Sequence, residues 1–119
     1  MARVDKTESA IGVCRAPSNA AIDPTDFDKV IGVGINSQGR VVKGAGATGI
    51  IGVICPTRIA RRENSILDIF QLAQFVEVDG IAAGSKVYAS NTDGELSTTA
   101  EGGTLVGFTV EADRLCVRF

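Results

Sequence analysis

Gly44-Ala45-Gly46-Ala47-Thr48-Gly49 carries the G-x-G-x-x-G spacing of a dinucleotide-binding loop. That chemistry works because the glycines lead into a helix whose free N–H groups point at a pyrophosphate. Here Ile50-Ile51-Gly52-Val53-Ile54 follows, which reads as a strand, so the stretch is expected to be a flexible hairpin loop and no cofactor is implied. Acid–base catalysis would need convergent carboxylates. Asp23, Asp26, Asp28, Asp68, Glu77 and Asp79 are instead spread over expected loops and strand edges. Histidine, the commonest proton shuttle, is absent, as are a Gly-x-Ser-x-Gly elbow and a Ser-x-x-Lys pair. Asp23-Pro24-Thr25-Asp26-Phe27-Asp28 lacks the glycine and closing glutamate of a calcium loop and reads as turn and cap chemistry. The chain is therefore read as non-enzymatic.

Cys14, Cys55 and Cys116 are odd in number and far apart, which fits neither a disulfide framework nor a four-ligand zinc site. Buried, inert thiols are expected. Arg58, Arg61 and Arg62 form a positive cluster. It is either a solvated loop or a docking patch for an acidic partner, since arginine grips carboxylates with two parallel hydrogen bonds.

A chain of 119 residues fits one domain and can bury roughly two-thirds of its unfolded surface. With 14 glycines, no tryptophan and only 5% aromatics, its core must come from Ile, Val, Leu and Ala. A formal charge of −2 with interspersed signs offers no basic footprint for nucleic acid. No apolar run is long enough to span a bilayer, and Met1-Ala-Arg-Val-Asp-Lys6 lacks the apolar segment of a signal peptide, so synthesis and use in the cytosol are expected.

The elements that would position these groups are set by glycine. Ile-Gly-Val occurs at 11–13, 31–33 and 51–53, and Val106-Gly107-Phe108 is a near copy. Glycine between β-branched residues weakens a strand unless a bulge, a bend or a close backbone approach requires it. The residues between the copies do not recur, so the pattern predicts bent sheets rather than a solenoid. Hairpins are expected from Val30–Ile35 with Arg40–Lys43, from Lys86–Ala89 with Glu95–Thr98, and from Thr104–Val110 with Leu115–Phe119. The last of these places Val106, Phe108 and Val110 on one face. Residues 65–78 fit a helix or two strands, Ile66–Phe70 and Ala73–Val78. The abundance of Phe, Val and Ile favours strands. Residues 1–25 read as an N-terminal arm and 26–119 as the β-domain. In the arm, Ile11 and Val13 are candidate contacts with a neighbouring subunit, the alternative being a frayed terminus. The fold class expected is all-β: a small, strongly bent barrel or sandwich of hairpins with an extended arm.

Ile50-Ile51-Gly52-Val53, Gly84-Ser85-Lys86-Val87-Tyr88 and Val117-Arg118-Phe119 together resemble the small β-barrel decoration, or cement, proteins of tailed-phage heads. The resemblance spans roughly residues 29–119, and residues 1–25 depart from it. It implies many copies on the outside of an expanded capsid, in contact with the major capsid protein, often as homotrimers with an arm that reaches a neighbour. It implies a virion location after assembly in the host cytoplasm, and it brings no catalytic residues. Ile11, Val13, Arg58, Arg61 and Arg62 are the candidate partner-binding residues. The competing reading is a small-molecule or carbohydrate-binding β-barrel, such as a virion adhesin, with its face on the Gly44–Gly49 and Ser90–Gly94 loops. The lack of tryptophan speaks against a sugar site.

Overall fold

The computed structural model describes residues 13–56, 62–76, 78 and 80–119. The described chain is all-β apart from one 3-10 turn, Pro24–Asp26. Its strands are β1 (Val13–Pro17), β2 (Ile31–Ile35), β3 (Val41–Lys43), β4 (Gly52–Ile54), β5 (Ile66–Phe70), β6 (Leu72–Phe75), β7 (Lys86–Ser90), β8 (Leu96–Ser97), β9 (Gly103–Glu111) and β10 (Arg114–Arg118). They form two antiparallel five-stranded sheets. Sheet 1 runs β1-β5-β4-β2-β3 and sheet 2 runs β6-β10-β9-β7-β8.

The expected hairpins form where the turn chemistry placed them. Asn36 closes the β2–β3 turn by accepting from the N–H groups of Gln38 and Arg40, both at 3.0 Å, and Gly39 takes φ +80°. The ambiguous stretch forms two strands, Ile66–Phe70 and Leu72–Phe75. It serves both sheets, because β5 pairs within sheet 1 and β6 within sheet 2, with Gln71 alone between them. A strand that changes sheets at a bend is how packed sheets build a corner. Gln71 fixes this one: its Nε2 donates to the Ile51 carbonyl at 3.0 Å, and its own carbonyl accepts from Phe119 N–H at 3.0 Å.

Val13–Pro17, which lies in the segment read as an arm, is the edge strand of sheet 1 and pairs with β5 from Val13↔Phe70 to Pro17↔Ile66. The repeated glycines have two distinct uses. At Gly32 the sheets touch, since a β-carbon there would overlap that of Ala89. The Gly32 N–H also donates to Gly94 O at 2.9 Å, which ties the sheets together through backbone. Gly107 instead sits in a bulge, where Val106 and Gly107 together oppose Val87.

That bulge corrects one expectation. Strict alternation would put Val106, Phe108 and Val110 on one face. The extra residue shifts the phase, so Val106 and Thr109 are buried while Phe108 and Val110 point outward. A second irregularity beside Val110, between Thr109↔Leu115 and Glu111↔Arg114, keeps the outward phase to the end of the strand.

The apolar interior has two parts. Ile50, Val53, Ile81, Val87, Ala89, Val106, Leu115 and Val117 fill the space between the sheets. Ile31, Val33, Val41, Ile54, Leu67 and Ile69 line the other face of sheet 1, where Ala16, Ile22 and Ile35 pack on them. Each fully buried Val or Leu is worth about 1.5–3 kcal/mol of transfer free energy.

Candidate interaction surfaces

Of the predicted contact residues, Ile11, Arg58 and Arg61 lie outside the described residues. Val13 begins β1, opposite Phe70. Arg62 is exposed in the turn before β5, where its carbonyl accepts from Ser65 N–H at 3.1 Å and the next link, Asn64 N–H to Ser18 O, is 2.7 Å. Asn64 holds φ +66° there, a conformation Asn tolerates better than most residues. Val13 and Arg62 therefore stand at opposite ends of the β1–β5 pair, separated by roughly 13 Å of strand. They do not form one patch.

The polar groups singled out in the sequence are occupied by structure. Asp23 caps the 3-10 turn, accepting from both the N–H and the hydroxyl of Thr25 at 2.9 Å. These hydrogen bonds hold its carboxyl below the usual range. Asp26 is buried and pairs with Lys43 at 2.9 Å, which raises the lysine above its ordinary value. Asp68 pairs with Arg15 across β1 and β5 at 2.9 Å. Glu77 and Asp79 lie outside the described residues. A cavity of about 260 Å³ opens above sheet 1, with Val33, Val41, Ile54 and Leu67 as its floor and Asp26 and Lys43 among its walls.

The glycine-rich loop spends its donors internally. Gly44 N–H goes to Gly32 O, Ala45 N–H to Asn91 O, and the N–H groups of Ala47 and Thr48 to Ile35 O, at 2.9–3.3 Å. Strand β4, not a helix, follows. Such a loop presents no row of free N–H groups to a phosphate.

The expectation of buried thiols is corrected: Cys14 is exposed, and Cys55 and Cys116 are half-buried. Cys116 lies on the outer face of sheet 2 opposite Phe108, and Cys14 lies on the edge strand β1 opposite Ile69. Burial, and next the Asp28 carboxylate, push the Cys55 thiol above its usual value.

The surface that sequence reasoning missed is the outer face of sheet 2. Register places Lys86, Phe108, Cys116 and Gln74 in one outward row, with Tyr88 opposite Leu105 and Arg118 opposite Leu72 in the next. Leu72 is 69% exposed, Leu105 49%, Phe108 40% and Val110 48%, an unusual load for one side of one sheet. Val76, also exposed, follows the end of β6. Arg114 pairs with Glu111 at 3.3 Å at one end of this face. Lys86 and Arg118 have no ion-pair partner among the described residues. The available signal was Leu105-Val106-Gly107-Phe108-Thr109-Val110, apolar in both phases of a strand.

No family model matches the chain, and no curated protein matches it. A solved structure from Mycobacterium phage Patience does. It matches over 98% of this chain and 95% of its own, with a TM-score of 0.80 and 18% sequence identity. The chain therefore shares its whole fold with a protein chain of a mycobacteriophage.

Proposed function

We propose that this chain is a structural protein of a phage virion. It binds the outer surface of the capsid and stabilises the head by bridging subunits of the major capsid protein. The observation that carries this reading is the fold shared end to end with a mycobacteriophage chain, together with the cement-protein motifs at Ile50–Val53, Gly84–Tyr88 and Val117–Phe119. The site chemistry agrees. Asp23, Asp26 and Asp68 are committed to a cap and two ion pairs rather than to a shared reactive centre. A compact body with an exposed apolar face suits repeated docking on a closed lattice, where many modest contacts reinforce one another through effective concentration.

The test is quantitative mass spectrometry of banded virions from the phage or prophage that encodes the chain. About one copy per capsid subunit is expected for a lattice-wide cement. A handful of copies, or none, would discard the capsid role.

A further inference from the structure

Resting on the proposed capsid role, we infer that the outer face of sheet 2 is the docking surface, and that it fits an apolar patch fringed with carboxylates on the capsid subunit. The centre of the face is apolar: Leu105, Phe108 and Val110 on β9 and Leu72 on β6, with Cys116 between the two strands. Together these side chains expose on the order of several hundred Å², the size at which a patch marks an interaction site. Lys86 and Arg118 flank this centre, one beside Phe108 and the other beside Leu72. They give the face a positive character on a chain whose formal charge is −2. A partner that covers it must supply apolar area at the middle and negative charge at the edge.

A second copy of this chain meets those requirements poorly. Two-fold pairing of the face with itself would bring together two sets of cations that have no ion-pair partner among the described residues. A head-to-tail contact would need a complementary apolar patch elsewhere on the chain. Among the described residues, the other exposed large hydrophobics are Ile66, which shares β5 with the ion-paired Asp68, Val76, beside the same face, and Phe119, which follows β10. None forms a separate apolar surface.

The experiment is titration of the full chain onto expanded shells assembled without it, read by co-sedimentation. Two variants target the face, Lys86→Glu with Arg118→Glu and Leu105→Ser with Phe108→Ser, and Arg15→Glu on sheet 1 serves as control. Thermal unfolding checks that each is folded. Each face variant should bind at least about tenfold more weakly, while Arg15→Glu stays within about twofold. The charge reversal should also remove most of the salt dependence of binding. Wild-type binding with both face variants unimpaired overturns this inference and leaves the capsid role standing. Failure of the wild type to bind shells overturns the capsid role and the partner named here with it. If the variants instead change the sedimentation of the free protein and leave shell binding intact, the face belongs to a second copy and the inference falls.

Discussion

The outer faces of the two sheets are built from the same residue types and meet opposite fates. On sheet 1, Val33, Val41, Ile54 and Leu67 are at most 5% exposed, because the chain after β1 crosses them and lays Ile22 against them. On sheet 2, Leu72, Leu105, Phe108 and Val110 stay in water. Propensity cannot tell these faces apart, since each strand is equally good β sequence. What separates them is whether the chain returns to cover the face. A covered face contributes to stability, and an uncovered one is available for recognition.

Substitution should break the comparison most sharply. Ile54→Ala removes a buried side chain from the covered face and is expected to cost about 3 kcal/mol, whereas Leu105→Ala on the bare face should change stability by less than about 0.5 kcal/mol. Denaturant unfolding measures both, and equal losses would mean the faces are not different in kind. Next in size is the contact that holds the faces back to back. Gly32→Ala drives a methyl into Ala89 and should cost about 2 kcal/mol, seen as a lower unfolding midpoint.

A smaller effect belongs to the polar border of the covered face. The Lys43 ammonium is held above 10.5, mainly by its hydrogen bond to Asp26, so its stabilising share is complete below about pH 10.5 and is lost as pH climbs through the raised value. Lys43→Met should remove that alkaline limb. Asp23 has the opposite sign: its carboxyl lies below 3.8, so its share is present above that pH and disappears as acid protonates the folded state. Melting curves of Asp23→Ala and wild type should therefore converge in strong acid. The smallest test is chemical. At pH 8, maleimide should label exposed Cys14 before half-buried Cys55, whose thiolate is disfavoured; the reverse order would contradict the placement of β1 at the edge of sheet 1.

Much of this architecture could be read from residues whose effect is local. Asn36 to Gly39 specifies its turn by its own hydrogen bonds, Asp23-Pro24 specifies a capped turn, and the recurring glycines announce a bulge and a close approach. The bare face was harder to see. Its phase depends on the bulge at Val106, which is fixed by how β9 meets β7, a partner closer to the N-terminus. Counting alternation from Thr104 therefore puts Phe108 and Val110 on the same face as Val106, which the structure buries. The cover over sheet 1 was hidden for a related reason, since Ile22 sits in a segment without period and gains its place only against strands assembled from later residues. Arg62 and Val13 are adjacent in neither sequence nor space, and no pattern in the chain relates them.

Gln71 divides the protein in time as well as in space. Every strand of sheet 1 lies before it and every strand of sheet 2 after it. On a ribosome, the first sheet can therefore zip while the second is still being translated. Strand β6 emerges immediately after the corner but must wait for Leu115–Arg118, its pairing partner, at the other end of the nascent half. Until then the Leu72–Phe75 segment has neither edge paired. This is the interval in which a stalled or crowded nascent chain is most exposed to sticking to another, and a slow codon or a chaperone would have its greatest effect there.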